Sequence, residues 1–143
     1  HIMIEKTASV HWEGQGKQGL GAISTATGAL KQYPYGFASR FEDGRPGTNP
    51  EELIGAAHAA CFSMALSMIL QEAGIGNVRI ETTSEIGLAK EGDGFAIKTA
   101  HLNTKIWGDG DKAVIEDCAR KAEKGCPVSK VLNAEVTMDV TVA

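Results

Sequence analysis

Two cysteines from distant parts of the chain are the side chains best suited to redox or nucleophilic chemistry. Cys61 lies in the apolar run GAAHAACFSMALSMIL at residues 55–70, and Cys126 lies in KGCPVSKVL at residues 124–132. A cysteine in a buried helix most often serves only as a small apolar residue. Cys61 lies about three turns into its predicted helix, so a reactive thiolate there would need a cation from elsewhere in the fold.

Cys126 and Cys118 have different surroundings in the sequence. Gly125 suits the end of one helix, and Cys126–Pro127 suits the N-cap and first residue of a short second helix. Free N–H groups at such a point favour a thiolate, although a plain turn residue fits the pattern equally well. Cys118 falls inside an amphipathic segment, where packing explains it, and we assign it no role.

Arg40 and His58 are the candidate cation and the candidate base for Cys61. Arg40 lies in a predicted strand among aromatic residues. It either lies at an edge or turns inward, where Glu51 could hold its guanidinium by a bidentate pair. His58 precedes Cys61 by three residues, which puts both on one helical face. A packed histidine with one hydrogen bond is the favoured interpretation over a thiol–imidazole dyad.

Composition and motifs exclude several other classes of protein. The chain of 143 residues has a net charge of -4, 6% aromatic residues and no basic block, so it is not expected to bind nucleic acid. It contains no CxxC and no HExxH, so neither a metal site nor a disulfide reductase is expected. Three cysteines form no secreted disulfide framework, and we expect a cytoplasmic protein. The opening HIM looks like an expression-vector remnant, with Met3 as the native start.

Local patterns predict the elements that position these residues. Together these patterns predict one α+β domain over residues 1–143, with antiparallel strands and segregated helices. The predicted elements are strands at 8–14, 20–26 and 35–41, a loop at 41–50, a helix from TNPEEL to about Glu72 that Gly74 stops, a hairpin of 78–88 and 95–107, a helix at 111–125 capped by Asp111, and a strand at 134–142.

The helix that carries Cys61 is apolar nearly all round. We do not expect a membrane span, because His58, Ser63 and Ser67 interrupt the run and its flanks lack basic residues. A helix of this kind is buried on every side, and a domain of this size offers little to surround it. A partner helix from a second subunit could surround it, so the pattern predicts a homodimer.

Taken together, PYGFASRFEDGRPGTNPEELIGAAHAACFSMALS and GCPVSKVL closely resemble the OsmC branch of the OsmC/Ohr peroxidases. The resemblance extends from HWEG to LNAEVTMDV, nearly the whole chain. It implies an α+β fold with antiparallel sheets, in which two subunits intertwine around back-to-back central helices.

The resemblance also implies an activity and a set of site residues. It implies thiol-dependent reduction of organic hydroperoxides to alcohols in stress defence, without metal, haem or flavin. Cys61 would attack the peroxide and become a sulfenic acid, and Cys126 would resolve it as a disulfide. Arg40 and Glu51 would complete the site, with Glu52 ranked second to Glu51. An external dithiol, such as a lipoylated protein, would restore both thiols.

Two other functions stay open on the sequence alone. A thiol hydrolase or acyltransferase would use Cys61 as nucleophile and His58 as base, and would not need Cys126. A non-catalytic dimeric binding protein would need neither cysteine. The preferred peroxide and the natural reductant are not encoded in any motif of the sequence.

Overall fold

The computed structural model describes residues 2–42 and 46–143, and its contacts divide the chain at Pro50 into two units. The first unit is His1–Pro50 and the second is Glu51–Ala143. The proposed vector residue His1 and residues 43–45 of the predicted loop lie outside the described residues. The single domain expected over residues 1–143 stays a prediction.

The first unit contains a three-stranded antiparallel sheet in the order β1-β2-β3. Its elements are β1 (Ala8–Glu13), a 3-10 turn (Gly16–Gln18), β2 (Leu20–Thr25), β3 (Tyr33–Tyr35) and the short helix α1 (Phe37–Phe41). The rings of Trp12 and Tyr35 pack with their centroids 5.6 Å apart. A Cβ on Gly21 would collide with both rings, so β2 needs a glycine at this position.

The strand expected at 35–41 is wrong beyond Tyr35, because Phe37–Phe41 forms α1. The cause is hydrogen bonding by the Ser39 side chain to one nearby and one more distant backbone group. Its Oγ accepts from the Gly36 backbone N–H at 3.0 Å and donates to the Thr48 carbonyl at 2.8 Å. Such side-chain bonds to the backbone favour a turn over a strand ladder. Arg40 therefore lies on a helix.

The second unit contains a sheet in the order β4-β5-β6 together with three helices. Its elements are α2 (Pro50–Glu72, which begins at the division), β4 (Gly76–Glu91), β5 (Gly94–Asp109), α3 (Lys112–Gly125), α4 (Pro127–Val131) and β6 (Glu135–Val142). β4 and β5 form the predicted antiparallel hairpin, and Gly92 takes φ 58° in its two-residue turn. Glycine adopts that conformation without strain.

β6 departs from the expected antiparallel arrangement, since it pairs with β5 in parallel. The reason lies between the two strands. α3 and α4 carry the chain back to the end at which β5 begins, and such a helical crossover joins parallel neighbours. The alternation expected for β6 is confirmed: Val136, Met138, Val140 and Val142 are more buried than the residues between them.

The helix boundaries expected from local signals are confirmed in the second unit. α2 ends at Glu72, and Gly74 follows with φ 76°. The Asp111 carboxylate caps α3 by accepting from the backbone N–H groups of Ala113 and Val114 at 2.7 and 3.4 Å. Cys126 is the N-cap of α4, and Pro127 is its first residue.

Within one chain, α2 is buried along a single stripe, and the completion of its burial by a second subunit stays a prediction. The stripe contributes to a core with residues of β5, α3 and β6. Its buried members are Gly55, His58, Phe62, Leu66 and Leu70. Other faces expose Met64 and Met68. Among the described residues, α2 alone is long and apolar enough to cross a membrane, a criterion that the core helix of a soluble protein also meets.

Candidate active site

The structure brings the thiols of Cys61 and Cys126 together, from α2 and α4 of the second unit. The Cys61 side chain packs against the buried cluster that contains Cys126, Cys126 lies near enough to act on the pKa of Cys61, and both are free thiols. Cys126 is fully buried, whereas Cys61 is half-buried and keeps access to solvent. A pair of adjacent thiols that differ in exposure can react in sequence, with the accessible one first.

The surroundings of Cys61 hold its thiol in the protonated form. Burial and the neighbouring Cys126 thiol together raise the pKa of Cys61. A backbone hydrogen bond from Val128 acts in the opposite direction, because the N–H stabilises the thiolate. The net effect is a raised pKa, so these neighbours do not activate the thiol. This agrees with the expectation that Cys61 needs a cation.

α4 places both Cys126 and Val128 against Cys61. The helix has five residues, and its internal hydrogen bonds include Lys130 N–H to the Cys126 carbonyl at 3.1 Å and Leu132 N–H to the Val128 carbonyl at 3.2 Å. The sequence predicts that N–H groups at this helix start favour a thiolate on Cys126. In the structure, the backbone N–H of Val128 lowers the pKa of Cys61 by stabilising its thiolate.

His58 lies one helical turn before Cys61 and is fully buried. Its Nδ1 is 3.1 Å from the Ser84 Oγ on β4, and its Nε2 is 2.9 Å from the Ser129 Oγ on α4. Burial lowers the pKa of His58, so the ring is neutral near pH 7. Both nitrogens are engaged by hydroxyl groups, which leaves neither as a base toward Cys61.

Sequence reasoning missed both serine partners of His58. Ser129 carried one usable signal, because it follows Cys126 by the same three residues that separate His58 from Cys61. Ser84 carried none, since only the packing of α2 on β4 brings it to the histidine. The expected packed histidine is therefore present, with two hydrogen bonds instead of one.

Arg40 and Glu51 belong to different units, and the pair predicted between them stays a prediction. The Arg40 guanidinium carbon lies 5.4 Å from the centroid of the Phe41 ring on α1. Glu51 and Glu52 occupy the first turn of α2, where carboxylates are stabilised by the helix dipole. The choice between the two glutamates also stays a prediction.

The remaining candidates have simple structural explanations. Cys118 is buried in α3 as part of the apolar core, which agrees with a packing role. Within residues 2–42 and 46–143, no group of three or more His, Cys, Asp or Glu side chains is arranged to hold a metal ion.

Comparison with known proteins identifies the family. The family described as OsmC-like protein matches residues 42–141. The chain belongs to this family. It is 53% identical over 139 residues to Peroxiredoxin OsmC of Escherichia coli strain K12, which covers 96% of each chain. It is 37% identical over 98 residues to the organic hydroperoxide resistance protein OhrB of Bacillus subtilis strain 168, covering 66% of this chain and 69% of that protein.

Solved structures of OsmC-like proteins share the fold. The crystal structure of OhrB of Bacillus subtilis matches with a TM-score of 0.69 and 28% identity, covering 94% of this chain and 98% of that one. An organic hydroperoxide resistance protein OsmC of Legionella pneumophila matches with a TM-score of 0.71 and 25% identity, covering 99% of both chains. The α+β fold class and the OsmC-like family that the sequence predicts are confirmed.

Proposed function

We propose that this protein is a cysteine-based peroxidase that reduces organic hydroperoxides to alcohols in stress defence. The observation that carries the proposal is the proximity of the Cys61 and Cys126 thiols. The names of the relatives, Peroxiredoxin OsmC and organic hydroperoxide resistance protein OhrB, support the same activity. This proximity supplies what such a reaction needs, namely one accessible sulfur to be oxidised and a second one within reach.

In the first step the Cys61 thiolate attacks the distal oxygen of the hydroperoxide. A sulfur–oxygen bond forms, the oxygen–oxygen bond breaks, and the alkoxide takes a proton to leave as an alcohol. Since its described neighbours raise the pKa of Cys61, the reaction needs a cation to stabilise the thiolate. Arg40, oriented by Glu51, is the proposed source of that charge, and it would also stabilise the charge on the leaving oxygen.

In the second step Cys126 attacks the Cys61 sulfenic acid to give a disulfide and water. The burial of Cys126 in the core keeps its thiol away from peroxide until Cys61 has reacted. Rapid capture also protects the sulfenic acid from further, irreversible oxidation. An external dithiol then attacks the disulfide and restores both thiols by exchange. The identity of that dithiol, a homodimeric assembly and a cytoplasmic location remain predictions.

The hydrogen bonds of His58 count against the alternative of a thiol hydrolase. A hydrolase of that type needs an imidazole nitrogen directed at the nucleophile. Here Nδ1 and Nε2 are both hydrogen-bonded to serine hydroxyls. The second alternative, a non-catalytic binding protein, offers no reason for two thiols to lie in contact.

The test is dithiol-dependent consumption of an organic hydroperoxide by the wild type and by each single Cys→Ser variant. We expect Cys61→Ser to lose all turnover. Cys126→Ser should still oxidise Cys61 once, to a sulfenic acid that a 1,3-diketone reagent traps, and then recycle poorly. Cys118→Ser is the matched control and should keep wild-type turnover. Normal turnover in both Cys61→Ser and Cys126→Ser would show that the redox proposal is wrong.

A further inference from the structure

The two thiols and the His58–Ser129 pair form two contacts between the same two helices. His58 and Cys61 are three residues apart on α2, and Cys126 and Ser129 are three residues apart at the start of α4. Cys61 contacts Cys126, and His58 contacts Ser129 through a hydrogen bond of 2.9 Å. Residues three apart in a helix share a face, so one face of α2 contacts one face of α4 at both points.

α4 needs such a support because it is only five residues long. Helices this short do not hold their conformation by backbone hydrogen bonds alone and depend on tertiary contacts. Of the two contacts with α2, the thiol contact changes in every catalytic cycle, when Cys61 is oxidised and later reduced. The contact between His58 and Ser129 involves no atom that reacts, so it can persist throughout the cycle.

His58 is itself held rigidly. Its ring is fully buried, and its other nitrogen bonds the Ser84 hydroxyl of β4 at 3.1 Å. The preceding member of the same stripe, Gly55, brings the α2 backbone close to β4, since a Cβ there would lie 3.1 Å from the Ser84 carbonyl oxygen. The burial of the ring and the close packing of α2 on β4, and not the Ser84 hydroxyl alone, therefore fix the position from which His58 reaches α4.

We infer that His58 is a positioning residue whose hydrogen bond to Ser129 holds α4 in place, so that Cys126 stays within reach of Cys61. The inference rests on the proposed function for its role in catalysis. The step that it serves is the attack of the Cys126 sulfur on the Cys61 sulfenic acid. The sulfur–sulfur bond forms, the sulfur–oxygen bond breaks, and the thiol proton of Cys126 leaves with the hydroxide as water.

The test measures the effective molarity of Cys61 toward Cys126. The folded protein is equilibrated with glutathione redox buffers, and the Cys61–Cys126 disulfide is quantified by acid quenching and peptide mapping. The test variant is Ser129→Ala, and Ser129→Thr keeps the hydroxyl. The matched control is Ser84→Ala, which also removes one serine hydroxyl from His58 but leaves α4 attached. Thermal unfolding of each variant establishes that it is folded.

We expect Ser129→Ala to lower the effective molarity about tenfold, which raises the reduction potential of the pair by about 30 mV. Ser129→Thr should stay near the wild type, and Ser84→Ala should change the value by less than about threefold. In single-turnover oxidation by an organic hydroperoxide, Ser129→Ala should form the sulfenic acid at the wild-type rate and the disulfide more slowly.

Three results would overturn the inference: a wild-type effective molarity in Ser129→Ala, equal losses in Ser129→Ala and Ser84→Ala, or no Cys61–Cys126 disulfide in the wild type at any glutathione ratio. The equilibrium with glutathione needs no peroxide. A protein that shows the expected effective molarities but consumes no hydroperoxide would therefore support the positioning role of His58 while the proposed function fails.

Discussion

Cys61 is a thiol whose described neighbours work against its ionisation. Burial and Cys126 raise its pKa, and the opposing contact is the Val128 N–H. From the sequence, the distance of Cys61 from the start of α2 already predicts that the helix dipole gives it little help. The structure adds the neighbours of Cys61, which could not be predicted from local sequence because Cys126 and Val128 come from a helix far away in the chain.

We expect Arg40→Ala to raise the pKa of Cys61 further, because the variant removes the proposed cation. A pKa higher by one corresponds to about 1.4 kcal/mol and lowers the thiolate fraction near pH 7 about tenfold. The alkylation rate of Cys61, followed over a range of pH by peptide mapping, should therefore reach its half-maximum at higher pH. Arg40→Lys should restore the wild-type profile only in part, since an ammonium cannot form a bidentate pair with a carboxylate.

The control for Arg40→Ala is Arg79→Ala, which removes the same charge from an exposed ion pair with Glu81. It should leave the alkylation profile unchanged. The same alkylation pKa in Arg40→Ala and the wild type would show that another group activates Cys61.

At the scale of elements, the helices of the second unit could be predicted because short local motifs mark their ends. Asp111 caps α3, and Cys126–Pro127 starts α4, as the sequence indicates. The prediction was wrong at Phe37–Phe41, where Ser39 makes contacts with both Gly36 and the distant Thr48. The direction of β6 could not be predicted either, because the route of α3 and α4 determines it and the residues of β6 do not.

The close packing of α2 on β4 makes a prediction at Gly55. In Gly55→Ala the new Cβ would lie 3.1 Å from the Ser84 carbonyl oxygen and 3.5 Å from Ile86. The strand backbone cannot move away without cost, and overpacking of this kind costs about 1–3 kcal/mol. Alanine gains up to about 1 kcal/mol in helix propensity. We expect a net loss of about 1 kcal/mol in the free energy of unfolding, measured by urea denaturation.

Gly125→Ala is the matched control, because Gly125 is the last residue of α3 and a Cβ there meets nothing within 4 Å. It should keep or increase the stability, by up to about 1 kcal/mol. Equal stability changes in the two variants would show that α2 can move away from β4 freely.

At the scale of the whole molecule, the apolar composition of α2 exceeds what one chain buries. The sequence predicts that a second subunit completes the burial of α2, and in the single chain its buried residues form one stripe. Met64 and Met68 are 69% and 59% exposed. Composition reveals how much apolar surface a helix carries, but it does not reveal how much of that surface the same chain covers.

We expect the protein to be an obligate homodimer with residues 50–72 at the interface, because a second copy of α2 would cover its exposed apolar face. Full burial of a methionine side chain is worth about 1.5–3 kcal/mol, so a symmetric interface would gain that amount several times over. Met64→Lys should shift the wild-type dimer toward monomer or unfolded chain in sedimentation equilibrium at micromolar concentration. Val114→Lys, at an apolar position of α3 that is 42% exposed, is the control and should remain dimeric. A folded, monomeric wild type at micromolar concentration would contradict the prediction. It would show that the apolar face of α2 is exposed to solvent in the native protein.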